Sequence, residues 1–144
     1  VYGDGRNVRD WIHVEDLCRA LEAVLLRGRA GEVYNIGSGE GRENLEVVGA
    51  ILDAVSFEGG TDALANADAR RARGIQFVPD RLGHDRRYAV DTAKIRRELG
   101  WAPAVPFAEG IARTVAWYRE NEAWWRPILS GEYREWTRKN YEER

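Results

Sequence analysis

Residues 31–55 pass from a glycine-bounded apolar run, GEVYNIG, through the loop GSGEGRE into an amphipathic pattern, and this succession narrows the choice of fold more than any other part of the chain. A short β-favouring run closed by glycines has the form of a buried strand, so residues 31–37 are predicted as one. Leu45, Val48, Ile51, Leu52 and Val55 recur at helical spacing and predict a helix over 45–55. Asn44 stands where its side chain can cap that helix by accepting from a free first-turn N–H. Strand, loop and helix in direct order predict the α/β class. A glycine loop in this position invites a dinucleotide reading, because a helix N-terminus attracts a pyrophosphate. The spacing does not support it: Gly37, Gly39 and Gly41 give G-x-G-x-G, and Arg42 stands where the third glycine belongs. No acidic residue closes a second strand about twenty residues on. The loop is expected to touch a phosphate at most, and not to form an NAD site.

The flanking segments fill in the same class. Residues 1–7 read as a turn, followed by an extended segment over 8–13 with Trp11 and Ile12 inside. Val14, Leu17, Cys18, Leu21, Val24 and Leu25 then mark a helix, with Glu15 and Asp16 where a first turn favours negative charge and Arg27 and Gly28 at its end. Cys18 is the sole cysteine, expected in the core, so no intramolecular disulfide or cysteine-based zinc site is available and a reducing compartment is implied. Residues 56–74 have little apolar periodicity and predict a surface connection. Ile75 to Val78 form a short apolar run ended by Pro79. Asp91 is expected to cap a brief helix with Ile95 and Leu99 inward, stopped by Gly100. Phe107, Ile111, Val115 and Tyr118 stripe a longer helix over 106–122, and Trp124, Trp125, Tyr133, Trp136 and Tyr141 read as packing and interface aromatics.

The candidate site is DRLGHDRRYAVD, Asp80 to Asp91, which follows the 75–78 run where open α/β sheets tend to bind ligands. Arg81, Arg86 and Arg87 offer paired guanidinium donors for a diphosphate, and Gly83 lets backbone approach closely. Asp80, Asp85 and Asp91 are interleaved with them, so a solvated mixed-charge loop is the competing reading. His13 and His84 are isolated, and an isolated histidine is more often structural than catalytic. No Y-x-x-x-K, G-x-S-x-G, P-loop or H-E-x-x-H occurs. The residues therefore describe a chain that holds a ligand and carries no visible chemistry. With 22 basic and 24 acidic residues and no basic stripe, nucleic acid is not an expected partner. No apolar run of about eighteen residues occurs, so no membrane helix is expected, and the first residues have no signal-peptide core; the cytoplasm is the expected compartment. The opening VYGDG reads as the middle of a loop, which predicts a partial chain.

Four stretches together carry a resemblance. YGDGRNVRDWIHVEDLCRAL, GEVYNIGSGEGRENLEVV, FVPDRLGHDRRYAVDTAKIRRELGW and FAEGIARTVAWYREN resemble the C-terminal part of the dTDP-glucose 4,6-dehydratases, extended short-chain dehydrogenases/reductases of the NAD-dependent epimerase/dehydratase type. R-D-W followed by V-E-D is shared among several nucleotide-sugar enzymes, whereas D-R-x-G-H-D-R-R-Y-A is more particular. The resemblance implies an extended Rossmann-type fold of which residues 1–144 are the nucleotide-sugar-binding portion, and a preceding half that holds NAD and the catalytic Y-x-x-x-K. It implies that hydride leaves sugar C4, water is eliminated across C5 and C6, and hydride returns to C6. Carried over, Arg9 is the arginine that meets the nucleotide diphosphate and Asn44 a polar substrate contact. Asp80, Arg81, Leu82, Gly83 and His84 form a substrate-binding loop, and Arg87 and Tyr88 line the nucleotide pocket. No catalytic, cofactor-binding or metal-binding residue is expected in this chain, the partner is a dTDP-sugar, and the parent enzyme is a homodimer. The 144 residues alone are expected to be inactive. Another nucleotide-sugar epimerase or decarboxylase, and a stand-alone nucleotide-sugar-binding module, are the alternative readings.

Overall fold

The computed structural model describes residues 1–57 and 74–131, together with 134, 138 and 139. Their elements are β1 (Val8–Asp10), α1 (Val14–Arg27), β2 (Gly41–Glu43), α2 (Asn44–Phe57), α3 (Ala93–Leu99), α4 (Phe107–Glu120) and α5 (Glu122–Ser130), an α/β arrangement. The chain divides into two compact units, Val1–Ala112 and Arg113–Arg144, with the boundary inside α4.

In the first unit β1 and β2 pair antiparallel, with Val8 opposite Glu43, Arg9 opposite Arg42 and Asp10 opposite Gly41. The other edge of β1 takes residues 86–88 through a parallel bridge at Arg87, and Tyr2 makes a second parallel bridge with Val78. The strand expected over 31–37 does not form. That segment is extended, with Tyr34 and Ile36 turned to the core and Val33 outward, but no neighbouring segment among the described residues forms a ladder with it. The 75–78 run likewise contributes one bridge rather than a strand.

The core is Ala20 and Ala23 of α1 against Ile95 and Leu99 of α3, closed by Trp101, with Ile12, Val24, Tyr34 and Ile36 around it. Burial follows the small residues of α1, because alanines let two helices approach closely. The predicted stripe of α1 is therefore corrected. Val14, Cys18, Leu21 and Leu25 are exposed, Leu25 to 84%, and the buried face is Asp16, Ala20 and Ala23. Trp11, expected inside, is 40% exposed. In α2 the deepest apolar side chain is Val47, outside the expected stripe, while Ile51 and Val55 are exposed.

Asp16 is fully buried because its carboxylate serves as an acceptor for three groups. It takes the backbone N–H groups of Ala104 and Val105, each at 3.0 Å, and the Arg19 guanidinium. Burial pushes its pKa up, but the two amides and Arg19 outweigh that and hold it below its ordinary 3.8. His13 caps α1, its Nδ1 accepting from the Glu15 amide at 3.4 Å, which makes it a structural histidine. Asp91 accepts from the Ala93 amide at 2.8 Å at the start of α3, and Gly100 ends that helix in the left-handed region at φ 65°.

In the second unit the helix expected over 106–122 breaks at Asn121, whose side-chain amide and backbone N–H both donate to the Trp117 carbonyl, at 2.8 and 3.0 Å. Trp117 meets Tyr118 and Trp124 edge-on with centroids 5.2 and 5.4 Å apart, and Trp125 Nε1 donates to the Tyr118 carbonyl at 2.6 Å. Of the packing aromatics the sequence predicts, Trp124 and Trp125 make these contacts, and Trp117 joins them unannounced by the pattern. Tyr133, Trp136 and Tyr141, and the 58–73 part of the expected surface connection, lie outside the described residues.

Candidate functional site

Strand β1 organises the site because residues 86–88 are tied along its free edge. The Val8 amide donates to the Arg86 carbonyl at 2.8 Å and the Tyr88 amide to the Val8 carbonyl at 3.1 Å. Side chains alternate across a strand, so Arg9 and its opposite number Arg42 share one face while Val8 and its bridge partner Arg87 share the other. On the first face the Arg9 guanidinium lies 4.3 Å over the Tyr88 ring. One of its Nη donors binds the Val8 carbonyl at 2.8 Å and the other the Asp85 carbonyl at 3.0 Å. The rest of its fork stays available to an anion. Tyr88 donates its hydroxyl to the Asp85 carboxylate. That bond, with the charge of Asp85 beside it, raises the phenol pKa, so Tyr88 is a donor and not a base at neutral pH.

A second cluster gathers around Tyr2. Asp80 Oδ1 lies 2.6 Å from His84 Nδ1 and accepts the Arg81 amide at 2.9 Å. The His84 contact above all holds the Asp80 carboxyl below its ordinary value. His84 meets the Tyr2 ring edge-on at 6.4 Å, and the Arg81 guanidinium sits 5.2 Å over the same ring. Gly3 is needed here, since a Cβ on it would fall 2.8 Å from Asp80 Oδ2. Gly83 has a φ of 70° with nothing within 4 Å of a Cβ position, so within the chain its glycine answers a left-handed turn. Leu82 at the tip is 104% exposed.

The three arginines of the loop do not converge. Arg86 is committed to Asp4 at 2.7 Å, a pairing that lowers the Asp4 carboxyl to about 2 and raises the guanidinium. Arg87 points to the face opposite Arg9, where its Nη2 lies 3.7 Å from the Cβ position of Gly41. Arg81 alone stays with the Asp80–His84 pair.

Asn44 stands at the start of α2, adjoining β1 through its amide, which donates to the Asn7 carbonyl at 3.0 Å. The cap expected of its side chain is not made. Glu46 instead reaches back to the Glu43 amide at 2.8 Å, and the Asn44 side chain has no hydrogen-bond partner among the described residues. The glycine-rich loop is held from within as well. Asp10, next to Arg9 in sequence but on the opposite face, accepts the Ser38 amide at 2.7 Å, the Gly39 amide at 3.1 Å and the Ser38 hydroxyl. Those amides are the donors a pyrophosphate would need, so this loop does not fit a dinucleotide.

Asp10 and Asn7 are positioning groups that sequence reasoning passed over, and Asp16, read there only as first-turn charge, anchors α1 to residues 104 and 105. The signal for the first two was the strand period, which sets Asn7 on the face of Arg9 and turns Asp10 away. A cleft of about 280 Å³ lies elsewhere in the unit, between Trp11, Ser38 and residues 103–107, with Arg42 stacked 4.4 Å over Phe107 and paired to Glu40 at 3.0 Å. None of the expected site residues lines it. Among the described residues no group of three or more His, Cys, Asp and Glu is placed to hold a metal ion.

Comparison with known proteins agrees with the resemblance read from the sequence. The chain is 50% identical over 129 residues to a dTDP-glucose 4,6-dehydratase of Streptomyces griseus, covering 90% of the chain and 35% of that protein. It is 46% identical to the enzyme of the same name from Salmonella typhimurium, over the whole chain and 38% of the relative. The chain thus spans little more than a third of the curated relatives it matches. Among solved structures, DesIV of Streptomyces venezuelae, a dTDP-glucose 4,6-dehydratase with NAD bound, superposes with a TM-score of 0.74 at 48% identity, over 88% of this chain and 35% of that one. A UDP-glucose 4-epimerase from Thermotoga maritima gives 0.68 at 28% identity, over 83% and 34%. The family model described as GDP-mannose 4,6 dehydratase matches residues 1–114, and the chain belongs to that family.

Proposed function

We propose that the chain is the substrate-binding, C-terminal portion of a dTDP-glucose 4,6-dehydratase, converting dTDP-glucose to dTDP-4-keto-6-deoxyglucose and water once joined to the part that holds NAD. The observation that carries this is the seating of residues 86–88 on β1. It stacks Arg9 on Tyr88 with guanidinium donors to spare, and through Asn7 it is linked to Asn44, whose side-chain amide is uncommitted among the described residues. In this reading Arg9 and Arg81 meet the diphosphate, and Asn44 and the Asp80–His84 loop contact the substrate. Tyr88 and Arg87 belong to the nucleotide pocket, and of these Arg87 approaches from the far face of β1.

Two features support a binding role without the reacting groups. The glycine-loop amides are spent on Asp10, and Tyr88 is held protonated by Asp85. The fold is accordingly read as part of an extended Rossmann-type enzyme, residues 1–144 forming its substrate-binding portion. The parent is read as a cytoplasmic homodimer acting on a dTDP-sugar, with neither nucleic acid nor membrane as a partner. No helix among the described residues is long and apolar enough to cross a membrane.

Titration calorimetry with dTDP-glucose on the full-length enzyme tests this. Arg81→Ala should weaken binding by the worth of a charge-assisted hydrogen bond, ~1.5–3 kcal/mol. Unchanged affinity in both Arg81→Ala and Arg9→Ala would refute the site. Turnover or NAD binding by the 144 residues alone would refute the division of labour. A product that is not a 6-deoxy-4-keto sugar would move the parent to another nucleotide-sugar enzyme.

A further inference from the structure

We infer that Asn7 is a positioning residue that sets the two arms of the proposed nucleotide-sugar site, the start of α2 and residues 80–88, in one register; the inference rests on the reading above. Asn7 is 2% exposed and touches no part of the loop tip, so it acts through its neighbours. Its backbone carbonyl takes the Asn44 amide at 3.0 Å and so fixes where α2 begins. Its side-chain Nδ2 donates to the Asp85 carbonyl at 3.2 Å, the same oxygen that receives Arg9 Nη2 at 3.0 Å. One residue thereby holds Asn44 with its main chain and the arginine segment with its side chain. Because Asn7 directly precedes β1, two residues from Arg9, the two donors close on Asp85 from one side.

The chemistry calls for an amide at this position. An aspartate would set a carboxylate against the Asp85 carbonyl with no donor between them, and burial makes that unfavourable. A leucine of similar volume would leave Arg9 as the one side chain on that oxygen. Asn7 Oδ1 is buried and has no partner among the described residues, a cost the Nδ2 and backbone bonds must offset. Without the Nδ2 bond the Asp85 carbonyl keeps only Arg9, and although the Arg86 and Tyr88 backbone bonds still hold the segment on Val8, the stacking of Arg9 on Tyr88 loosens before any ligand arrives. The effect should fall on substrate binding and leave the chemical step alone.

The test uses the full-length enzyme with Asn7→Asp, Asn7→Leu and the milder Asn7→Ser, and with dTDP and NAD as probes. KM for dTDP-glucose and Kd for dTDP should rise about tenfold in the Leu and Ser variants, equivalent to ~1.4 kcal/mol, and further in the Asp variant. kcat should stay within roughly twofold and NAD affinity should hold, the pattern of lost ground-state binding. A fall in melting temperature or active fraction with Kd for dTDP unchanged in Asn7→Ser would make Asn7 merely structural and overturn the inference. If Arg81→Ala still weakens dTDP binding in that case, the site reading survives. If Arg81→Ala and Arg9→Ala both leave it unchanged as well, the reading itself fails.

Discussion

Removing the Asp16 carboxylate should be among the most damaging single changes in the chain. The side chain is 0% exposed and accepts the Ala104 and Val105 amides at 3.0 Å each, anchoring the first turn of α1 to the segment that leads into α4. In Asp16→Ala both amides lose their acceptor, at ~1–3 kcal/mol for a buried unsatisfied donor. Ala104 is itself exposed, so water replaces part of what it loses, and Arg19 is half exposed and adds little. The sum is ~2–4 kcal/mol, a large share of the 5–15 kcal/mol typical of a domain. Asp16→Asn keeps one acceptor oxygen without the charge and should cost about half as much. Urea unfolding of the chain followed by circular dichroism measures both. The pH dependence gives a second check. The folded pKa lies below the ordinary 3.8, so the carboxylate's contribution is complete above that value and is lost as the pH falls from 3.8 through the lower folded value. The stability gap between the native chain and Asp16→Asn should therefore be constant from pH 7 to pH 5 and narrow by pH 3. A change under about 0.5 kcal/mol, within the range of ordinary surface substitutions, or a gap that is the same at pH 3 and pH 7, would refute the reasoning.

Gly100 tests backbone conformation apart from packing. Its φ of 65° has nothing within 4 Å of a Cβ position, so Gly100→Ala should cost ~1–2 kcal/mol through strain alone, with Gly100→Asn recovering part of it. Equal melting temperatures for all three would contradict this. The outward row of α1 tests association. Val14, Cys18, Leu21 and Leu25 recur along one exposed face, a patch that favours self-association of the isolated chain. Leu21→Glu with Leu25→Glu should shift its sedimentation toward monomer without changing its stability, and an unaltered distribution would clear this face.

Helices were legible from the sequence because their signals are local. The bounds of α1 and the inward Ile95 and Leu99 of α3 all follow from spacing and capping within a turn or two. The buried face of α1 was not legible. Asp16 reads as first-turn charge until its partners at 104 and 105 are known, and no periodicity records a contact 88 residues away. The strands were misplaced for the same reason, since GEVYNIG has the composition of a strand without a ladder and GRE has a ladder without the composition. In the site, the Asp80–His84 pairing lies within one loop. The separation of Arg87 from Arg9 required the parallel bridge to Val8, which no motif encodes.

That bridge is also a statement about tolerance to change. Residues 1–9 and 76–88 are joined by bonds spanning 75 to 82 positions, among them Val1 to Gln76 at 2.6 Å and Asp4 to Arg86 at 2.7 Å. Closing so long a loop costs entropy that grows only with the logarithm of its length, about 0.6 kcal/mol for each doubling. The connection between α2 and the arginine segment can therefore lengthen or shorten by many residues at little thermodynamic expense, while the clasp across β1 keeps Arg9, Tyr88 and Asn44 where they are. Related chains are free to differ most in the stretch between these two halves and least in the residues that hold them together.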